Sequence, residues 1–320
     1  MHPRPTPSRR RSSVRFVVIG AGAIGGGLGG ALARTGADVH LVARGAHLQA
    51  LQQGGMRLRT PEHDARVAVP ASALCEVVPG PQDVVCLATK LQDAEDALAA
   101  VRARWGDVPV VTWTNGLSAD GWASVWASTV VATVQFVPAS APVQGEAWLW
   151  GTPHPGVVHA STVRGDSDRV RDALVAALSQ AGFEARGHGD VRPIQHTKWV
   201  RNLAGAVQAL VVPADWEALI PAVQGEGERV LRAAGLPIAP SEALLPEVPM
   251  TLGTIDGRQR RGGSTRQSLL DGKSLETPFL NGALVALART VGVATPLNAW
   301  LVAGAVRAVE EGWREGRLTA

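Results

Sequence analysis

Tyrosine is absent from this chain of 320 residues, and cysteine nearly so, with two. Cys75 and Cys86 lie in different segments without metal-ligand spacing, which excludes a disulfide framework and a cysteine-built metal site. No metal is expected, and the cysteine usage suits a reducing cytoplasmic setting, with both thiols as small buried apolar groups. An excess of charge is also missing: 31 Lys+Arg stand against 28 Asp+Glu, a net of +3, and part of the basic excess sits in the first 13 residues. Basic residues are scattered and not interleaved with aromatic ones, which excludes a nucleic-acid surface. No uninterrupted apolar run after Gly25 is long enough to cross a bilayer, so no membrane span is expected. Internal repeats and long low-complexity tracts are lacking too. The ten tryptophans mark no site. Trp148 and Trp150 alternate along a strand-like run and are expected in the core.

What is present begins with Val14-Arg15-Phe16-Val17-Val18-Ile19-Gly20-Ala21-Gly22-Ala23-Ile24-Gly25. A short apolar strand breaks into Gly-x-Gly-x-x-Gly and runs on into a helix. Gly20 permits the tight turn, Gly22 lets a pyrophosphate approach the backbone, and Gly25 lets helix and strand pack closely. The helix N-terminus offers unpaired N–H groups and a positive dipole end to phosphates. The second strand, Val39 to Ala43, ends in Ala43-Arg44-Gly45, with His47 just beyond. No carboxylate stands there, about 20 residues past the glycines, where NAD-binding proteins place one for the ribose hydroxyls. An arginine fork instead suits a 2′-phosphate, which favours NADPH over NADH. As a solvated loop residue, Arg44 would carry no such meaning.

The first 13 residues, rich in Pro, Arg and Ser, are expected to be a disordered basic leader. Arg9-Arg10-Arg11, followed by an apolar stretch to Ala31-Leu32-Ala33, also resembles a twin-arginine export signal. Cleavage there would discard the glycine loop and keep the strand that completes its βαβ unit, which argues against export.

From Val14 to Gly189 strands (14–19, 39–43, 67–69, 83–88, 108–113, 129–135, 157–159) alternate with helices (26–35, 46–53, 92–103, 119–126, 167–181). That alternation predicts a mostly parallel sheet covered on both faces, with ligands at the carboxyl ends of its strands. From Ile194 onward the pattern is almost wholly helical: 194–211, 215–234, 241–252, 275–291 and 296–312, broken by the polar segment Asp256–Ser264. The expected fold is therefore α/β, a Rossmann-type dinucleotide-binding domain over 14–189 followed by an all-α domain over 190–320 that supplies substrate contacts. A cleft separates the two.

Three further stretches could carry chemistry. Val111 to Leu117 is an apolar strand running into Asn115-Gly116, where Asn115 could hold a ribose or substrate hydroxyl. Asn-Gly is equally a good turn. In Gln195-His196-Thr197-Lys198-Trp199-Val200-Arg201-Asn202, Lys198 and Asn202 share one helix face. An ammonium there could protonate the oxyanion left by hydride delivery to a ketone, given burial that lowers its pKa. His196 is an alternative acid, and a lone helix lysine is ordinarily solvated. Trp199, Val200 and Leu203 point instead to a packed helix. In Ser264 to Ser268 and Leu275 to Gly282, Ser264 could hold a substrate carboxylate with Arg266 as charge partner. Glu276 could orient Lys198 or the substrate, although a carboxylate in a first helical turn is stabilising by itself.

Together these residues resemble the ketopantoate reductase (2-dehydropantoate 2-reductase) family along nearly the whole chain after the leader. Leu87-Ala88-Thr89-Lys90 is similar to its strand ending in a cofactor-proximal lysine, Asn115-Gly116 to its Asn-Gly motif, and Lys198-x-x-x-Asn202 to its catalytic lysine and substrate-binding asparagine. Ser264, Glu276 and Asn281-Gly282 resemble its serine, acid and helix, and Gly292-Val293-Ala294-Thr295-Pro296-Leu297-Asn298 its Gly-Val-x-Thr-Pro-x-Asn ending. The resemblance implies an NADPH site formed by Gly20, Gly22, Ala23, Ile24, Gly25, Arg44, Lys90 and Asn115. It also implies a 2-oxo acid held by Asn115, Lys198, Asn202 and Ser264, with Lys198 and Glu276 catalytic.

Three departures bear on the substrate. Ala206 stands where the family often has a second asparagine, and Asp93 (beside Gln92) where it commonly has glutamine. Ser264-Thr265-Arg266-Gln267-Ser268 replaces Ser-Met-Leu-Gln-Asp. Losing a buried hydrogen-bonding group costs on the order of 1–3 kcal/mol. A different 2-oxo acid or ketone, in a specialised pathway, is thus the alternative to 2-dehydropantoate, and a non-catalytic NADPH sensor a third reading. The expected partner is a small 2-oxo acid; a homodimer stays open, since no coiled-coil seam marks one.

Overall fold

The computed structural model describes residues 14–166 and 168–319. The leader and the arginines of the export reading lie outside them. β1 (Arg15–Ile19) leads into α1 (Ala23–Arg34), β2 (Asp38–Val42) and α2 (Gly45–Gly54). Next come β3 (Met56–Arg59), β4 (Asp64–Val67), β5 (Ala71–Ser72), β6 (Asp83–Leu87), α3 (Leu91–Trp105), β7 (Val110–Thr112) and α4 (Ser118–Ser124). β8 (Val130–Phe136), β9 (Ala139–Ser140), β10 (Glu146–Leu149), β11 (Gly151–Thr152), β12 (Val157–Arg164), α5 (Arg169–Gln180) and β13 (Glu184–Gly187) complete the first part. The second holds α6 (Arg192–Leu210), α7 (Trp216–Ala233), β14 (Thr251–Leu252), α8 (Ser264–Leu270), α9 (Thr277–Thr290) and α10 (Pro296–Glu310).

The main sheet has the order β13-β12-β8-β7-β6-β1-β2-β5, parallel throughout except for β12 against β8. The apolar run of β1 is explained by burial on both faces: Phe16 and Val18 pack with α1 and α5, while Val17 and Ile19 pack with α3, α4 and the helical part. Ile19 pairs with both Val42 and Leu87, so β1, β2 and β6 end flush. The connections diverge on either side of β1, which opens a crevice at those ends.

The glycines behind the loop set the packing of α1. A Cβ on Gly25 would lie 2.1 Å from the Gly20 carbonyl oxygen, and one on Gly27 would lie 2.7 Å from a Leu149 methyl. Glycine inside a helix costs about 1 kcal/mol relative to alanine; here it admits a second sheet, β4-β3-β10-β9, against α1.

That second sheet departs from the expected pattern. The strand placed at 67–69 lies instead at 64–67, paired antiparallel with β3, a run of only four residues, Met56-Arg57-Leu58-Arg59, too short for its alternation to stand out. The helix expected over 241–252 is a single 3-10 turn, Ser241–Leu244, followed by irregular, bent chain that leads into β14, which pairs with β11. Pro246 and Pro249 explain the loss, since each removes a backbone donor. The polar break ends in a helix not foreseen, α8. Cys86 is fully buried as expected, but Cys75 is exposed, because it sits in a 3-10 turn at the surface rather than in a strand.

Gly25→Ala is expected to destabilise the fold by about 3 kcal/mol, because the clash is with backbone that cannot rotate away. Gly22→Ala, whose Cβ meets nothing within 4 Å, should unfold like the parent chain. Chemical denaturation of both variants checks this, and equal stability of the two would contradict the packing argument.

Candidate active site

The flush strand ends open into a cavity of about 1140 Å³, bordered by the glycine loop, Lys90, Asn115, Ser264 and Glu276. Gly20 has φ +98°, which glycine alone adopts without strain, and its missing side chain allows the backbone of Ala88 and Thr89 to come close. Gly22 caps α1 with no side-chain hydrogen bond, so the N–H groups of the first turn, from Ala23 and Ile24 onward, are left to the cavity. Gly22 itself faces open space. An uncapped helix end beside a gap with no Cβ fits the pyrophosphate of a dinucleotide. Arg44, the N-cap residue of α2, borders the far end with its side chain 88% exposed.

Toward the helical part, polar groups from distant segments meet in one chain of hydrogen bonds. Asn202 Nδ2 donates to Asn115 Oδ1 at 3.2 Å, and Asn115 Nδ2 donates to Glu276 Oε2 at 3.4 Å. Glu276 Oε1 accepts from the Leu91 N–H at 3.3 Å. Lys90, the N-cap of α3, donates to Ser268 Oγ at 2.8 Å and to the Ser274 carbonyl at 2.7 Å, which ties β6 to α8. Ser264 opens α8 and borders both this cavity and a second, of about 600 Å³, whose wall includes Asn202.

Lys198 sits one turn before Asn202 on α6, among buried Thr197, Trp199 and Val200. Among the described residues no hydrogen bond or ion pair holds its ammonium. Burial pushes its pKa down from 10.5 to about 8, with the Glu276 carboxylate pulling the other way. The chain has three lysines: Lys90 and Lys273 border the large cavity, and Lys198, which borders neither cavity, is near enough to feel the Glu276 charge.

Asn115 thus joins Asn202 to Glu276, with Lys90 and Ser264 in the same wall. Gly25 stays behind the loop, in packing. Two expected helpers point elsewhere. His196 is committed to the Pro237 carbonyl at 2.6 Å and is 4% exposed. Arg266 stacks over the Trp216 ring at 5.2 Å, so it does not serve as charge partner beside Ser264. His47, flagged near the ribose end, spends both ring nitrogens on Ala21 and Gly145.

Sequence reasoning missed Ser268, Trp113, Trp148 and Arg258, all in the cavity wall. Ser268 had a signal, standing one helical turn after Ser264. Trp148 and Trp150 are buried as expected, 2% and 3% exposed, yet they also form part of the wall, with Arg59 over the Trp148 ring at 4.7 Å. No group of three or more His, Cys, Asp or Glu side chains able to hold a metal occurs among the described residues. Nor is any helix among them long and apolar enough to cross a membrane.

The lowered pKa makes the Lys198 charge costly. The folded value lies below the unfolded one, so the cost is full below pH 8 and relieved as pH climbs toward 10.5. Lys198→Met should therefore stabilise the protein at pH 7 by about 2 kcal/mol, with the gain shrinking in alkaline buffer. Denaturation series at several pH values check it, and a loss of stability at pH 7 would contradict the burial argument.

Comparison with known proteins agrees in fold and in extent. The family model described as ketopantoate reductase PanE/ApbA matches residues 16–147, and that of its C-terminal part matches 192–310. A 2-dehydropantoate 2-reductase of Mesorhizobium japonicum is 29% identical over 339 residues, covering 93% of this chain and 99% of its own. The crystal structure of a PanE/ApbA family ketopantoate reductase from Ralstonia eutropha superposes with a TM-score of 0.77 at 28% identity, over 93% of this chain and 99% of that one. A ternary structure of D-mandelate dehydrogenase with NADH and anilino(oxo)acetate shares the fold, with a TM-score of 0.78 at 20% identity over 93% and 99%. With both parts matched in order and along most of their length, the chain belongs to the ketopantoate reductase family.

Proposed function

We propose that this chain reduces a small 2-oxo acid with NADPH, and that the acid is 2-dehydropantoate, giving pantoate. The observation that carries the reading is the Asn202–Asn115–Glu276 hydrogen-bond chain, with the partly buried Lys198 one helical turn before Asn202 and close enough to feel the Glu276 charge. Bound in this cavity, NADPH would supply the hydride that the keto carbon accepts. Lys198 then gives a proton from Nζ to the keto oxygen as that oxygen takes up the carbonyl electron pair, and solvent later returns the proton to the amine. Glu276 keeps the ammonium charged and, through Asn115, fixes the amide groups that orient the acid. Asn202 and the Ser264 hydroxyl hold the substrate's polar groups. Gly20, Gly22, Ala23 and Ile24 would receive the pyrophosphate, Arg44 would meet the 2′-phosphate and Lys90 would close the cofactor side, while Gly25 holds the helix against the loop. In this reading the lobes divide near residue 190.

Lys198→Ala should lower kcat by about two orders of magnitude or more, the usual scale of a lost general acid, while NADPH still binds. Unchanged turnover removes Lys198 from the mechanism. Since the acid must be protonated, kcat/KM for reduction should fall as pH rises through about 8. A flat profile between pH 6 and 10 would contradict that assignment.

One observation favours a second reading, reduction of a different 2-oxo acid. Ala206, one turn beyond Asn202, has no hydrogen-bonding group where the family often has a second asparagine. Comparison of kcat/KM for 2-dehydropantoate with a panel of 2-oxo acids decides between them. A clear preference for another acid favours the second.

A further inference from the structure

At the Arg44 end of the large cavity the arginine already has a carboxylate partner that a phosphate would meet. Asp93, in the first turn of α3, places Oδ2 3.7 Å from Arg44 Nη2. Asp96, one residue short of a full turn onward, borders the same cavity, as do Ala73, Leu74 and Ala97. Both ring nitrogens of His47 are engaged with Ala21 and Gly145, so it brings no free donor. Lys90 is turned to Ser268 and Ser274. Asp93 therefore pairs with the Arg44 guanidinium and is also felt by the Lys90 ammonium, and Asp96 adds a second carboxylate to the cavity wall.

We propose that Asp93 is a specificity-determining residue for the nucleotide, and that it weakens the discrimination between NADPH and NADH. The inference rests on the reading of this cavity as the nicotinamide dinucleotide site. A 2′-phosphate drawn to Arg44 must displace or share its carboxylate partner, and it then stands within a few ångströms of a like charge. NADH, carrying hydroxyls at that position, meets neither penalty. Both Arg44 and Asp93 are substantially solvated, with side chains 88% and 49% exposed, so the effect is moderate. Removing one like charge at such a separation in water corresponds to a three- to tenfold change in affinity, on the order expected from a screened Coulomb interaction.

The test is titration of the substrate-free protein with NADPH and with NADH, read by quenching of tryptophan fluorescence. Asp93→Asn keeps the shape and removes the charge. It is expected to tighten NADPH binding about three- to tenfold and to leave NADH within about twofold, the gain fading as salt is raised toward about 1 M. In the parent chain NADPH is expected to be preferred by less than about tenfold, and Arg44→Ala should erase that preference. An unchanged NADPH-to-NADH ratio in Asp93→Asn, equal tightening of both nucleotides, or a gain indifferent to salt overturns the proposal while leaving the nucleotide site standing. Failure of the parent chain to bind either nucleotide overturns the site reading itself, and the proposal with it.

Discussion

Partial burial takes much of the water from the Lys198 ammonium, and the Glu276 carboxylate offsets part of that loss. An amine in this position is held close to its own titration point, because desolvation favours the neutral form and the carboxylate favours the charged one. The arrangement requires parts far apart in the chain. The amine belongs to the long helix α6, whose Trp199, Val200, Leu203, Ala206 and Val207 share a core with α7, α9 and α10. The carboxylate sits just before α9, where Leu91 of the first part and Asn115 at the end of β7 both donate to it. The electrostatics of one amine thus depend on the docking of the helical part onto the strand ends.

The same docking gives the cleft its walls. Lys90 donates across it to Ser268 and Ser274, while Gln92 donates to the Ser274 hydroxyl at 2.6 Å. Deeper in the helical part Asn281 donates to Asn298 Oδ1, and Glu226 accepts from the Leu297 and Asn298 backbone and from the Asn298 amide. These buried polar groups have partners and no access to the cavity, so they fix helix positions. Two elements close the far side: the β11–β14 pair and the Arg59–Asp256 ion pair each join the first part to the segment that leads into α8.

Some of this could be read directly from residue order and some could not. The glycine loop, Arg44, Lys90 and Asn115 were legible because each comes just after a short apolar strand, and parallel strands deliver their trailing residues to one edge. Lys198 and Asn202 were legible through helical spacing. The second sheet was hidden because it joins Arg57 to Glu146 across a long stretch of chain, and its strands mix arginine with apolar residues. Side-chain direction was hidden as well. Nothing in the order of residues shows that Arg266 turns to Trp216, that His196 turns to Pro237, or that Asp93 reaches Arg44. The segment around 241–252 deceived because its apolar spacing suits a helix while its prolines forbid one.

The central claim is that Lys198 carries a depressed pKa in the folded protein, and the scarcity of lysine makes it directly measurable. Labelling the side chains with carbon-13 at Cε yields three resonances, assignable by removing Lys90, Lys198 and Lys273 one at a time. Followed against pH, the Lys198 resonance is predicted to titrate near 8. A midpoint close to 10.5, the value of a solvated amine, would contradict the account.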